Sequence, residues 1–197
     1  MNSKMGETID VRILQAINEP EARKFWPIYH QVFVPVNDQC PCRQSYTEEE
    51  FIKVALSPEY LIFVARRNEE VAGLAIATGN LSMIDWINPA YFWKQRSYNG
   101  KIIDFDHRVL YITCIATTSD NRDIGAGAEL MKALHSYGLE NNYVAVAFDY
   151  SITGNRKLPE YIALVTSSEL IGDFHDGSLD HQGYCMLIDP SHPEFQS

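Results

Sequence analysis

The chain lacks several features that would each fix a class. Nowhere does it carry the roughly 20 consecutive apolar residues of a membrane-spanning helix. Its first residues, Met1-Asn2-Ser3-Lys4-Met5-Gly6-Glu7, have no apolar stretch of the kind a secretory signal needs. The expectation is a cytoplasmic protein with no membrane partner. Basic residues are few: 16 Lys and Arg against 26 Asp and Glu give a net charge of −10, with no dense basic stripe, which argues against nucleic acid as a partner. The four cysteines, Cys40, Cys42, Cys114 and Cys185, are too sparse for a disulfide scaffold, and two of them fall inside apolar runs, as reduced and buried thiols do. The 11 glycines and 9 prolines are scattered, and neither an internal repeat nor a low-complexity segment breaks the chain. What remains is 197 residues of ordinary composition, read as one domain with a substantial core.

Periodicity then outlines the elements. Thr8 to Ile17 alternates loosely as a first strand, and Ala22, Phe25, Trp26, Tyr29 and Phe33 mark an amphipathic helix over Glu21 to Phe33. Val34 to Tyr46, with Pro35 and Cys40-Pro41-Cys42, has loop chemistry. Thr47-Glu48-Glu49-Glu50 supplies a capping-box start for a helix to about Leu56. Tyr60–Arg66 and Val71–Thr78 read as a hairpin, and Val109 to Ala116 as a buried strand. Residues 81–108 between them lose regular pattern. A connection of that length is a candidate specificity element, whose aromatics either line an acceptor pocket or staple the segment to the core. Tyr143–Phe148 reads as a central strand, Leu158–Val165 as a helix opened by Pro159, and Leu170–Phe174 with Tyr184–Ile188 as a last hairpin.

The stretch Arg122-Asp123-Ile124-Gly125-Ala126-Gly127-Ala128 carries the most chemistry, because it joins the strand ending near Ala116 to a helix marked by Leu130, Met131, Leu134 and Tyr137. Glycines at a strand-to-helix turn let backbone N–H groups gather around an anion, and the helix start adds partial positive charge. The alternative is that Gly125 and Gly127 only permit close packing of helix on sheet. The stretch is not a P-loop, since no Gly-Lys-Ser/Thr follows at the required spacing, and it lacks the third glycine of a dinucleotide fingerprint.

The order of elements together with Arg122-x-x-Gly125-x-Gly127-Ala128 resembles the GNAT superfamily of acyl-CoA-dependent N-acyltransferases, whose signature is Gln/Arg-x-x-Gly-x-Gly/Ala. The resemblance covers residues 8–188 within a single domain of residues 1–197. It implies an α/β fold with a mixed, mostly antiparallel central sheet flanked by helices on both faces. It further implies that acetyl-CoA or another acyl-CoA is the co-substrate. Backbone amides of Arg122, Ile124, Gly125, Ala126, Gly127 and Ala128 would hold its pyrophosphate, and the main chain of Cys114, Ile115 and Ala116 its pantetheine arm. Asn155 matches a CoA-contacting Asn of the family, although Tyr161 follows it one residue closer than the family pattern has it.

Acyl transfer to an amine needs a group to take the amine proton, donors for the oxyanion and a proton for the thiolate. An ordinary primary amine has a pKa of about 10.4, so a carboxylate or His must help near neutral pH. Asp149, at the exit of the Tyr143–Phe148 strand, is the candidate base, with His107 and Asp85 as alternatives; equally, Asp149 could simply end the strand. A phenol, with a pKa of about 10, suits the acid: Tyr161 by family position, with Tyr150 and Tyr184 behind it. Backbone N–H groups near Ile115 to Thr117 would take the oxyanion. No metal is called for, since Cys40-Pro41-Cys42 has only His30 nearby and zinc needs about four ligands. The acceptor is a small-molecule or peptide amine of unknown identity, and a homodimer stays open. Two rival readings remain: a non-catalytic acyl-CoA sensor that keeps the cradle and has lost the chemistry, and a nucleotide-binding α/β protein unrelated to this family.

Overall fold

A computed structural model of the chain describes residues 8–15, 17–37, 45–118, 124–152, 156–175 and 182–196. In order come β1 (Ile9–Leu14), α1 (Glu19–Asn37), α2 (Glu48–Leu56), β2 (Leu61–Arg67), β3 (Glu70–Thr78) and a short 3₁₀ turn (Leu81–Met83). They are followed by α3 (Pro89–Trp93), β4 (Arg96–Tyr98), β5 (Lys101–Ile103), β6 (Val109–Thr117), α4 (Ile124–Glu140), β7 (Ala145–Ser151), α5 (Leu158–Thr166), β8 (Glu169–His175) and β9 (Gln182–Ile188). Seven strands form one sheet in the order β1-β2-β3-β6-β7-β9-β8, and β4 and β5 form a separate small hairpin. The β1/β2, β7/β9 and β8/β9 pairs are antiparallel and β6/β7 is parallel. The expected mixed, mostly antiparallel α/β fold is therefore the observed one. No described helix is long and apolar enough to cross a membrane.

The chain divides into two compact units, Met1–Ile76 with Cys114–Ala133, and Ala77–Thr113 with Leu134–Ser197. In the first, Ile62 and Val64 of β2, Leu74 and Ile76 of β3, and Cys114 and Ala116 of β6 point to one face. There they meet Ala22, Phe25 and Tyr29 of α1 and Phe51, Ile52 and Ala55 of α2. The opposite face takes α4. A Cβ at Gly73 would lie 2.8 Å from the Ala116 carbonyl oxygen and 3.2 Å from Thr117 Cγ2, both on the neighbouring β6, and 3.3 Å from Leu130 Cδ1 of α4, so glycine is required where β3 lies against β6. Helices thus flank both faces here.

Local signals account for most boundaries. Thr47 accepts from the Glu50 backbone while Glu50 reaches back to Thr47, the reciprocal cap the sequence foretells for α2. The turn between β2 and β3 puts Asn68 and Glu69 at φ 49° and 68°, as a two-residue hairpin of matching twist requires. Two expectations are corrected. The first strand is shorter than Thr8–Ile17, and α1 runs through Pro35 to Asn37 instead of yielding to a loop at Val34. Pro35 forfeits a backbone hydrogen bond. Against that loss, Val32 and Phe33 pack on the core and Phe33 stacks on Tyr29 at 4.6 Å.

The second unit holds the connection at 81–108. It is not irregular, as expected, but carries the 3₁₀ turn, α3 and the β4/β5 hairpin. Leu81, Ile84, Phe92, Ile103 and Phe105 are buried with Val109 and Tyr111 of β6, Ala145 and Ala147 of β7, and Tyr184, Met186 and Ile188 of β9. Phe92 therefore staples the segment down, with Trp86 and Trp93 packed beside it. Polar ties add to this: Tyr98 donates to Glu169, Lys101 to the carbonyl of Gln196, and Arg108 to Glu194 at 3.0 Å.

Candidate active site

In the first unit, Ile124 opens α4, and Gly125, Ala126, Gly127 and Ala128 follow within its first turns. Ala126 is fully buried, whereas Gly125, Gly127 and Ala128 are half-buried. Neither Gly125 nor Gly127 appears among the residues with positive φ. A Cβ at Gly127 would meet only Thr117 Cγ2 at 3.9 Å, an ordinary contact, and one at Gly125 would meet the flexible tip of Ile9 at 3.1 Å. Among the described residues, neither Gly125 nor Gly127 has backbone as close as the Ala116 carbonyl is to Gly73. Glycine in a helix costs about 1 kcal/mol relative to alanine, and at Gly127 the described neighbours leave room for a Cβ. What the two glycines leave in the first turns of α4 is backbone without side chains.

α1, α2 and α5 each carry acidic residues in the first turn, while α4 carries none. α3 likewise has no acidic residue in its first turn. The Arg67 guanidinium lies 3.9 Å from where a Gly125 Cβ would stand. Arg122 and Asn155 lie outside the described residues, as do Cys40 and Cys42.

On β6, Cys114 and Ala116 bury their side chains in the core, so only their main chain could serve a ligand. The parallel register of β6 with β7 runs from Val109 opposite Ala145 to Ile112 opposite Phe148. Among the described residues it goes no further, although β6 continues to Thr117 and β7 to Ser151.

In the second unit, Asp149 does not stand at the exit of its strand as expected: it lies within β7, paired in register with Tyr184 of β9. It is half-buried, on the face shared with Ala145 and Ala147. The hydroxyl of Tyr111, fully buried, donates to its Oδ1 at 2.8 Å. Burial pushes the Tyr111 phenol well above its usual value, and the charge and hydrogen bond of Asp149 push it the same way; the indole of Trp86 acts weakly in the opposite sense. The Phe92 ring stands edge-on to Tyr111 at 5.5 Å and to Tyr184 at 6.4 Å. The result is a carboxylate that accepts a hydrogen bond from a buried phenol beside aromatic rings.

The other candidates sit elsewhere. Tyr150 is buried with its ring over Gly183, where an added Cβ would come within 2.5 Å of its Cζ. Tyr161 lies on α5 and is 38% exposed. His107 is an exposed residue between Trp93 and Asp106, and Asp85 is exposed on the connection.

A family model described as the acetyltransferase (GNAT) family matches residues 23–157. The chain belongs to that family. A search of curated proteins found no match. Among solved structures, the fold is similar to yncA, a putative acetyltransferase from Salmonella typhimurium solved with acetyl-CoA, with a TM-score of 0.60 at 11% identity over 96% of this chain and 98% of that one. It is similar too to Arabidopsis thaliana NAA60 in complex with acetyl-CoA, with a TM-score of 0.56 at 15% identity over 91% and 97%. FeeM, an N-acyl amino acid synthase from uncultured soil microbes, gives 0.56 at 18% identity over 94% and 93%. At these identities the likeness is one of fold.

Within this GNAT chain, sequence reasoning missed Tyr111 and Trp86. Tyr111 was hidden in the run Val109–Ala116, where a tyrosine counts as another apolar strand residue. The usable signal was its hydroxyl: a phenol in a buried strand needs a partner.

Proposed function

We propose that the protein is an acyl-CoA-dependent N-acyltransferase, with acetyl the first acyl group to test, acting on a small-molecule or peptide amine by direct attack. The observation that carries this reading is the pair Gly125 and Gly127, which leave the first turns of α4 without side chains where the strand-to-helix turn ends. Membership in the GNAT family supports it, as do neighbours whose structures hold acetyl-CoA. The single-domain reading of residues 1–197 is part of the same proposal.

Backbone N–H groups from Ile124 to Ala128 would take the CoA pyrophosphate, and the main chain of Cys114 to Ala116 the pantetheine arm. Asp149, as a carboxylate hydrogen-bonded by Tyr111, would receive the proton of the ammonium, freeing the nitrogen lone pair for the thioester carbonyl. As the new N–C bond forms and the C–S bond breaks, Tyr161 or Tyr150 would return a proton to the thiolate. Tyr161 is exposed enough to reach a ligand, whereas Tyr150 is fixed against Gly183, which favours Tyr161. Much of the rate would come from holding amine and thioester together. Within the second unit, Phe92 and Trp86 would border the acceptor beside Asp149, making the connection 81–108 a specificity element.

The test is thermal-shift screening against CoA thioesters of increasing chain length and ATP, followed by a free-thiol assay over an amine panel. Stabilisation by acyl-CoA and amine-dependent thiol release are expected, and Tyr161→Phe should slow release without loss of CoA binding. Binding without release would leave the sensor reading; stabilisation by ATP alone would favour the unrelated nucleotide-binding fold.

A further inference from the structure

The side-chain cluster on the face of β6, β7 and β9 contains a group that the proposed chemistry leaves without a role. Tyr111 is fully buried, yet it spends its hydroxyl on Asp149 Oδ1 at 2.8 Å. A phenol in an apolar core could be replaced by phenylalanine at little cost in packing, so its oxygen calls for an explanation in terms of the carboxylate. A half-buried Asp among Phe92, Tyr184 and Trp86 faces a loss of hydration that favours the neutral acid, which would be useless as a base. A hydrogen bond donated to the ionised form opposes that loss. The strong burial of Tyr111 keeps the proton on the phenol, so the donor direction is fixed.

We infer that Tyr111 is a positioning residue that holds the Asp149 carboxylate in one orientation and in its ionised form, ready to accept the proton of an acceptor ammonium. This rests on the reading of Asp149 as the base. Tyr111 on β6 and Tyr184 on β9 are titratable groups beside Asp149, and Phe92 and Trp86 of the connection, which carry no charge, stand against Tyr111. An acidic limb in the pH–rate profile would therefore report Asp149 and respond to Tyr111.

The experiment compares the wild-type chain with Tyr111→Phe, using Asp149→Asn to assign the Asp149 carboxyl signal in ¹³C NMR. The titration midpoint of Asp149 is followed directly, the kcat/KM profile is recorded with the best amine, and CoA-induced thermal stabilisation confirms that each variant is folded. The expected result is an upward shift of about one pH unit in the Asp149 midpoint, roughly a tenfold gain in proton affinity, with the acidic limb moving by the same amount. An unmoved midpoint overturns the inference. A moved midpoint with an unmoved limb overturns it as well, because the carboxylate would then not be the base. If wild type binds acyl-CoA but releases no thiol with any amine, the acyltransferase reading itself fails; that outcome differs from the others in showing in the wild type, and it removes the catalytic part of the inference.

Discussion

Under the proposed function, the start of α4 and the surroundings of Asp149 would serve their ligands by opposite means. At Gly125 and Gly127 the chain offers backbone and withdraws side chains, leaving α4 without acidic residues in its first turn. At Asp149 it brings a carboxylate, two phenols, an indole and a phenyl ring together from three strands and a connection. A pyrophosphate is a large, fixed anion that many N–H groups can share, so bare main chain suffices. A proton acceptor must be one oxygen with a set affinity for protons, which takes specific neighbours. Binding machinery of the first kind tolerates change in its surroundings; chemistry of the second kind does not.

If labour is divided in this way, Asp149→Asn should cut turnover by about 100- to 10,000-fold, the range of a lost general base, while acyl-CoA still stabilises the fold. Parallel loss of CoA affinity would merge the two regions into one. Gly127→Glu should do the reverse, weakening CoA by about 100-fold or more because like charges brought together cost several kcal/mol. Isothermal titration with CoA reads this, and an unchanged affinity would remove the cradle from the proposal.

A smaller pair of changes separates packing from ligand approach. Gly73→Ala should destabilise the ligand-free protein by about 1–3 kcal/mol, since its Cβ would press on the Ala116 carbonyl. Gly127→Ala should leave it unchanged or stabilise it by up to about 1 kcal/mol, while still weakening CoA. Urea unfolding without ligand measures both, and equal losses would return Gly127 to a packing role.

The smallest effect lies away from both regions. Burial lowers the pKa of His135, against the opposing pull of Asp189, and burial followed by the Arg108 charge lowers that of His192. The unfolded chain would bind those protons near the ordinary value of 6.5 while the folded chain resists them, so stability should fall as pH drops below 6.5. Thermal melts between pH 7.5 and 5 read this, and replacing both histidines with Asn should flatten the slope. Because neither residue touches Asp149, the acidic limb of turnover should stay where it is.

Elements with strong local signals were legible in advance: the capping box at Thr47, the hairpin at Asn68-Glu69, and the order that ends in the β8/β9 hairpin. Elements that depend on burial were not. α1 passes Pro35 where Val32 and Phe33 pack on a core shared with Phe51 of α2, a partner the local sequence does not announce. The connection at 81–108 looked patternless because its short elements take their order from docking Phe92, Ile103 and Phe105 into a core they do not build alone.

The sequence by itself determined the family and the succession of elements outside residues 81–108, since turns and caps act over a few neighbouring residues. Only the tertiary structure decided which glycine lies against the β6 backbone and which tyrosine holds Asp149. Gly73 and Ala116, like Tyr111 and Asp149, lie on different strands tens of residues apart. Strand register, fixed by the burial of whole faces, is what brings such pairs together.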